Sequence, residues 1–340
     1  MSQIPQSMQA MSIGERAGSY ELVATRRPVP QPGPGEVLIE VYAAGVNGHD
    51  VHQIHNGGHA LRVGETDLPG LEVAGRIVEL GQGSQRWQVG DRVCALLRGG
   101  GYAEYAVAPS GNCLPAPENL SWAEAAVLPE TFFTVWSNVF VDCALAPGET
   151  FLMNGGTSGI GVAAIQIAAT LEHRVFATAR GAEKAQICAE LGAMAIDYET
   201  QDFPAVILEA TRSRGVDVIL DIVAGEYLEK DIRCLAEGGR VAFIGGARGY
   251  RTAIDLQALM RRRGRIFGSL LRPRSDEFKA QVAAALEARV WPHVRSGRIE
   301  PMLYQTFPLA SAADAIRMLE ERRHIGKVAL LVRELLGLQS

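Results

Sequence analysis

No run of apolar residues in this chain of 340 approaches the ~20 that a bilayer-spanning helix needs. The opening MSQIPQSMQAMSIGE has neither a basic region nor an apolar core, so a secretory signal is not expected, and residues 1 to about 10 read as a loose tail. Cysteine is sparse: Cys94, Cys113, Cys143, Cys188 and Cys234 are scattered, with no C-x-x-C pair. That excludes a disulfide framework and a zinc knot, and suits reduced thiols in a cytoplasmic protein. A basic excess is also missing. The formal net charge of −5 argues against nucleic acid or an anionic membrane as the main partner. The local exception, Arg261-Arg262-Arg263-Gly264-Arg265, reads as a solvated helix end. Internal repeats and low-complexity segments are absent as well.

What remains is an apolar content of 47% and a charged content of 21%, the profile of a soluble globular protein with room for two domains. The first third reads as β. Glu36-Val37-Leu38-Ile39-Glu40-Val41 alternates as a half-buried strand should, and LEVAGRIVELG, GDRVCALL and GYAEYAVA continue in that style between glycine turns. Near Ser121 the pattern turns helical, with Ser121 as N-cap and Glu124 completing a capping box. From Gly148 strands alternate with helices, which implies a doubly wound parallel sheet. Two helical stretches, 275–296 and 310–323, and a strand KVALLV close the chain. The expected fold is α/β, a Rossmann sheet over residues 130–269 inserted in a β-rich domain made of residues 1–129 and 270–340.

The strand Phe151–Asn154 leads into Gly155-Gly156-Thr157-Ser158-Gly159-Ile160-Gly161 and an Ala/Ile-rich helix. Glycines at such a turn let the backbone approach a pyrophosphate at the positive helix N-terminus. Against G-x-G-x-x-G the turn keeps the first and last glycines, with Ser158 in place of the middle one. The next strand ends Ala177-Thr178-Ala179-Arg180, without the Asp or Glu that would accept from an NAD ribose. Arg180 and Lys184 suit a 2′-phosphate instead, so NADPH is the expected cofactor.

A second cluster is NGHDVHQIHNGGH, with His49, His52, His55 and His59 at helical spacing. Gly57-Gly58 should break the helix before His59, and no nearby cysteine completes a metal set. The histidines read as a polar wall of a substrate site (His52 and His59), as ordinary surface groups, or as an adventitious, weak metal site.

The residues Gly70-Leu71-Glu72-Val73-Ala74-Gly75, Ala95-Leu96-Leu97-Arg98-Gly99-Gly100-Gly101, Leu128-Pro129-Glu130, Ala163-Ala164-Ile165-Gln166, Ser269-Leu270-Leu271-Arg272 and Ile325-Gly326-Lys327-Val328 resemble the medium-chain dehydrogenase/reductase superfamily. The likeness is to its zinc-free quinone oxidoreductase (zeta-crystallin-like) family, especially the tumour-suppressor-inducible branch. It implies a GroES-like catalytic domain around the Rossmann domain, the cofactor in the cleft, and a homodimer joined through the nucleotide domains. By this resemblance Asn47 and Thr134 line the nicotinamide end, and Gly156, Thr157, Ser158, Gly159, Ile160 and Gly161 form the pyrophosphate turn. Lys184 and Tyr198 meet the adenosine 2′-phosphate, reinforced by Arg180, where relatives often have Gly. Phe243, Gly245, Leu270 and Leu271 pass the nicotinamide. His52 and His59 stand where relatives place bulky residues facing the substrate. Zinc-dependent relatives carry Cys and His where this chain has Asn47 and Leu71, and the four-cysteine lobe is missing after Cys94, so no metal is expected.

The implied reaction is reduction of a quinone by hydride or electron transfer from NADPH, with His52 or water supplying the proton. An alkenal or enoyl reductase would keep every cofactor residue, and a non-catalytic NADPH-binding protein is the other alternative. A short-chain dehydrogenase is excluded, because that family needs its turn near the N-terminus and a Tyr-x-x-x-Lys pair. Tyr227 and Lys230 are one residue too close for that pair.

Overall fold

A computed structural model describes residues 4–16, 18–58 and 66–333. The chain opens with β1 (Ser7–Arg16) and β2 (Ser19–Pro28), paired antiparallel from Ser7 opposite Pro28 to Arg16 opposite Ser19. Residues 7–10 are therefore strand rather than tail. Met8 and Ala10 are buried with Leu38, Leu68, Ala103 and Tyr105, and that apolar contact fixes the hairpin. Next come β3 (Glu36–Val46), α1 (Gly48–His55), β4 (Glu72–Leu80), β5 (Arg92–Leu96), β6 (Tyr105–Pro109), β7 (Cys113–Pro115), α2 (Trp122–Ala126) and α3 (Pro129–Val135). A π-helical stretch, Trp136–Asp142, follows α3.

The alternating segment comprises β8 (Thr150–Asn154), α4 (Gly159–Thr170), β9 (Arg174–Ala179), α5 (Gly181–Glu190), β10 (Met194–Asp197), α6 (Phe203–Ala210), β11 (Val216–Asp221), α7 (Tyr227–Cys234), β12 (Leu235–Phe243), α8 (Leu256–Arg262) and β13 (Arg265–Gly268). The chain ends through α9 (Asp276–Arg289), α10 (Trp291–Arg295), β14 (Leu303–Pro308), α11 (Ala312–Glu321) and β15 (Lys327–Leu331). It divides into two compact units, Met1–Phe133 with Ser275–Ser340, and Thr134–Arg274.

The first unit is built on a seven-stranded sheet in the order β14-β15-β3-β4-β5-β7, with β6 also on β3. The period of two in β3 divides its side chains between two cores. Val37, Ile39 and Val41 join a large cluster with Val73, Ile77, Val93 and Val328, while Leu38 joins the hairpin's cluster. Ser121 caps α2 as its spacing predicts: Ser121 Oγ accepts from Glu124 N at 3.3 Å and Ser121 N donates to Glu124 Oε2 at 2.8 Å.

The second unit is a six-stranded parallel sheet, β10-β9-β8-β11-β12-β13. Counted within the unit this is 3-2-1-4-5-6, the order of a doubly wound dinucleotide fold, in which ligands lie at the carboxyl ends where the order reverses. The central strands β8 and β11 are buried along their whole length, as strands covered on both faces must be.

Candidate functional site

In the second unit, β8 delivers the chain to the glycine turn. Gly155 has φ +91°, in the region where glycine is favoured. A Cβ at Gly161 would lie 2.4 Å from Gly155 O, and one at Gly156 would lie 2.6 Å from Cys188 Sγ. These glycines let α4 pack directly on the turn. Ser158 caps α4: its Oγ accepts from Gly161 N at 2.9 Å and donates to Gly155 O at 2.8 Å. Its hydroxyl thus does work that a middle glycine could not, satisfying one first-turn N–H. Thr157, Gly159 and Ile160 are half-buried around the helix end, where peptide N–H groups and the helix dipole stabilise an anion. The turn suits a dinucleotide pyrophosphate.

A chain of side chains lies beneath it. Gly155 N donates to Thr178 Oγ1 (3.3 Å), Thr178 Oγ1 to Asn154 Oδ1 (3.0 Å), and Asn154 Nδ2 to Asp231 Oδ1 (2.7 Å). Asp221 closes the series and accepts from Val223 N and from Ala224 N at 3.1 Å. Asp231 and Asp221 are both buried, and burial pushes both carboxyls upward; Asp231 is driven further by the Asp221 charge. Asp231 Oδ2 has no donor, and burial together with the Asp221 charge favours the protonated form of Asp231.

At the end of β9, Arg180 is exposed and its Nε donates to Glu199 Oε1 at 2.9 Å. Lys184 is half-buried one turn along α5. Tyr198 is half-buried, edge-on to Tyr227 at 6.0 Å, with the Arg248 guanidinium 5.6 Å from its ring. Phe243 ends β12 beside Asp221, and a Cβ at Gly245 would sit 3.0 Å from Ile222 O. Leu271 is buried whereas Leu270 is 72% exposed. Thr134 is buried near the end of α3, its carbonyl accepting from Asn138 Nδ2 at 2.8 Å.

In the first unit the focus is Asn47, N-cap of α1. Its backbone N–H donates to Asp50 Oδ2 at 2.9 Å and its Nδ2 to Glu72 Oε1 at 3.0 Å. Lys327 Nζ donates to Asn47 Oδ1 and to Val46 O (2.9 Å), and pairs with Glu72 Oε1 at 2.7 Å. Glu130 N donates to Glu72 Oε2 at 2.8 Å, and Tyr102 OH to Asp50 Oδ2 at 2.8 Å. Burial raises the Asp50 carboxyl to about 6 and the Glu130 carboxyl to about 8, the latter pushed further by Glu72. An amide, an ammonium and the buried Leu71 do not offer the three ligands a catalytic zinc takes. Among the described residues no group of three or more His, Cys, Asp and Glu could hold a metal ion.

Among the described residues the histidines of this cluster form no metal-binding group of three or more. His52 and His55 are exposed, His55 pairs with Glu320, and His49 is half-buried. As the double glycine predicts, α1 stops at His55, with Gly57 and Gly58 at φ +69° and +104°. His59 lies outside the described residues. Sequence reading missed the structural roles of Lys327, Glu199, Asp221 and Asp231. Lys327 alone carried a signal, as a charge opening an otherwise apolar strand.

Two family models match the chain: the alcohol dehydrogenase GroES-like domain over residues 33–118 and zinc-binding dehydrogenase over residues 159–288. The quinone oxidoreductase of Rattus norvegicus is 32% identical over 308 residues, 89% of this chain and 91% of that protein. Among solved structures, the Pseudomonas syringae pv. Tomato DC3000 quinone oxidoreductase has a TM-score of 0.81 at 26% identity, covering 96% of this chain and 100% of that one. Mycobacterial Rv1454c complexed with NADPH has a TM-score of 0.81 at 29% identity, with the same coverage. The chain belongs to the quinone oxidoreductase family of the medium-chain dehydrogenase/reductase superfamily. It is an oxidoreductase of a class that uses a nicotinamide cofactor. Among the described residues no helix is long and apolar enough to cross a membrane.

Proposed function

We propose that the protein reduces quinones with NADPH and without zinc. The observation that carries this reading is a glycine turn at the switch of a 3-2-1-4-5-6 sheet, followed by Arg180 and Lys184 rather than a carboxylate at the end of the second strand. A nicotinamide dinucleotide bound there supplies the hydride. Gly156, Thr157, Ser158, Gly159, Ile160 and Gly161 hold its pyrophosphate, and Arg180, Lys184 and Tyr198 its adenosine end. Thr134, Phe243, Gly245, Leu270 and Leu271 are assigned to the nicotinamide side with Asn47. Quinones are electrophilic without a Lewis acid, so Asn47, fixed by Glu72 and Lys327, needs no metal beside it. Hydride plus one proton, from water or His52, converts the quinone to hydroquinone. His59 is assigned to the substrate side with His52. The protein acts in the cytoplasm as a homodimer, paired through the exposed edge strand β13 of its nucleotide unit.

The test uses untagged protein and follows NADPH consumption with 1,4-benzoquinone, 9,10-phenanthrenequinone, alkenals and enoyl thioesters. Quinone turnover with an NADPH preference supports the reading. Exclusive turnover of enones replaces it with an enone reductase, and NADPH binding without turnover replaces it with a binding protein. Stoichiometric zinc after gel filtration defeats the metal-free mechanism.

A further inference from the structure

The end of β9 holds two groups that favour different cofactors. About twenty residues beyond the glycine turn, a dinucleotide fold places either a carboxylate for a ribose 2′-hydroxyl or a cation for a 2′-phosphate. The strand itself supplies Arg180. The fold adds a carboxylate that is 19 positions away in sequence, because β10 pairs in register beside β9, with Asp197 opposite Ala179. Glu199 follows directly, and its Oε1 accepts from Arg180 Nε at 2.9 Å. Its other oxygen lies over Gly181, 3.7 Å from where a Cβ would be, at the start of α5.

This carboxylate is seated rather than loose. Asp197 Oδ1 accepts from Gly181 N at 2.8 Å and from Glu199 N at 3.1 Å, so one oxygen ties the start of α5 to the loop carrying Glu199. Asp197 N donates to Gln201 Oε1 at 3.1 Å, and Gln201 N to Asp197 O at 2.9 Å, which closes the loop on itself. Arg180 and Glu199 side chains are 72% and 46% exposed, so their pair is weak enough for a bound phosphate to exchange it.

We propose that Glu199 sets the ratio of NADPH to NADH use, by occupying the Arg180 guanidinium and by offering its own carboxylate to a 2′-hydroxyl. A 2′-phosphate must displace Glu199 from Arg180 Nε or share the guanidinium with it, and in either case it lies beside the Glu199 negative charge. A 2′-hydroxyl needs no displacement, since it can donate to Glu199 while the ion pair persists. The proposal rests on the reading of this turn as the dinucleotide site.

The experiment is calorimetric titration with 2′,5′-ADP and with 5′-AMP, alongside kcat/KM for NADPH and NADH, on wild type, Glu199→Gln, Arg180→Gln and the double variant. Glu199→Gln should improve the 2′,5′-ADP to 5′-AMP affinity ratio about three- to tenfold, since it frees a charge-assisted donor and removes a like charge. The NADPH to NADH efficiency ratio should move with it, and both gains should shrink in the Arg180→Gln background, where only the like charge and the 2′-hydroxyl acceptor are left to remove. An unchanged ratio in Glu199→Gln, or a gain as large without Arg180 as with it, overturns the proposal. Wild-type protein that binds neither nucleotide defeats the dinucleotide-site reading itself, an outcome distinct from binding that ignores Glu199.

Discussion

Lys327 holds together a set of acids that its single charge does not balance. Asp50, Glu72 and Glu130 gather around that ammonium, and Glu72 takes most of its attention through the 2.7 Å contact and two N–H donors. Asp50 and Glu130 answer the shortage by keeping protons. Their folded carboxyls rise from 3.8 and 4.5 to about 6 and about 8, chiefly through desolvation. Folding therefore takes up protons at neutral pH, and the sign follows from linkage. The contribution of these groups is complete below the ordinary carboxylate range and is lost as pH rises through about 6 and then about 8. Urea midpoints measured from pH 5 to 9 should fall with pH in the wild type. Glu130→Gln, which keeps the shape and removes the titration, should flatten the limb between pH 5 and about 8. Equal slopes in both proteins would show that Glu130 releases its proton before folding matters.

At the scale of elements, the glycine turn depends on strands that are distant in sequence. The Asp221–Asp231–Asn154–Thr178–Gly155 series ties β11, α7, β8 and β9 to the peptide that begins the turn. Asp231→Asn keeps an acceptor for Asn154 and a permanent donor for Asp221, whereas Asp231→Leu strands both buried partners. Asn should leave stability near wild type and improve it in alkali, because burial raises the Asp231 carboxyl and the amide has no proton to lose. Leu should cost about 1–3 kcal/mol for each polar group left unsatisfied. Chemical denaturation at pH 7 and pH 9 separates the two, and equal losses would show that the polar contacts of Asp231 contribute nothing to stability. None of this series was legible in the sequence, because each partner is an ordinary residue until sheet order makes it a neighbour. Local patterns elsewhere were legible: the period of two in β3, the capping box at Ser121 and the strand–helix alternation after Gly148 each depend on residues within one turn or strand. The β1–β2 hairpin escaped for the opposite reason, since Met8 and Ala10 acquire their value from Leu38 and Tyr105. At the site, the turn and Arg180 could be read locally, but Glu199 needed the register of β10.

At the scale of the whole molecule, the sheet of the nucleotide unit ends in two edge strands, β10 and β13. β13 pairs with β12 alone, so its other edge presents backbone groups without a strand partner among the described residues. The chain around it is apolar and exposed: Tyr250 is 77% accessible, Leu256 62%, Met260 75% and Leu270 72%. Exposed edges and large apolar side chains together favour a protein partner, and a second copy offers the same edge in a closed two-fold arrangement. Placing carboxylates on the apolar face, as Leu256→Glu with Met260→Glu, should keep each unit folded, because neither side chain is buried in the single chain. Sedimentation equilibrium should then report half the wild-type mass, with the thermal midpoint becoming independent of protein concentration. A double variant that sediments as the wild-type species would place the dimer contact elsewhere on the molecule, and a monomeric wild type would remove the homodimer altogether.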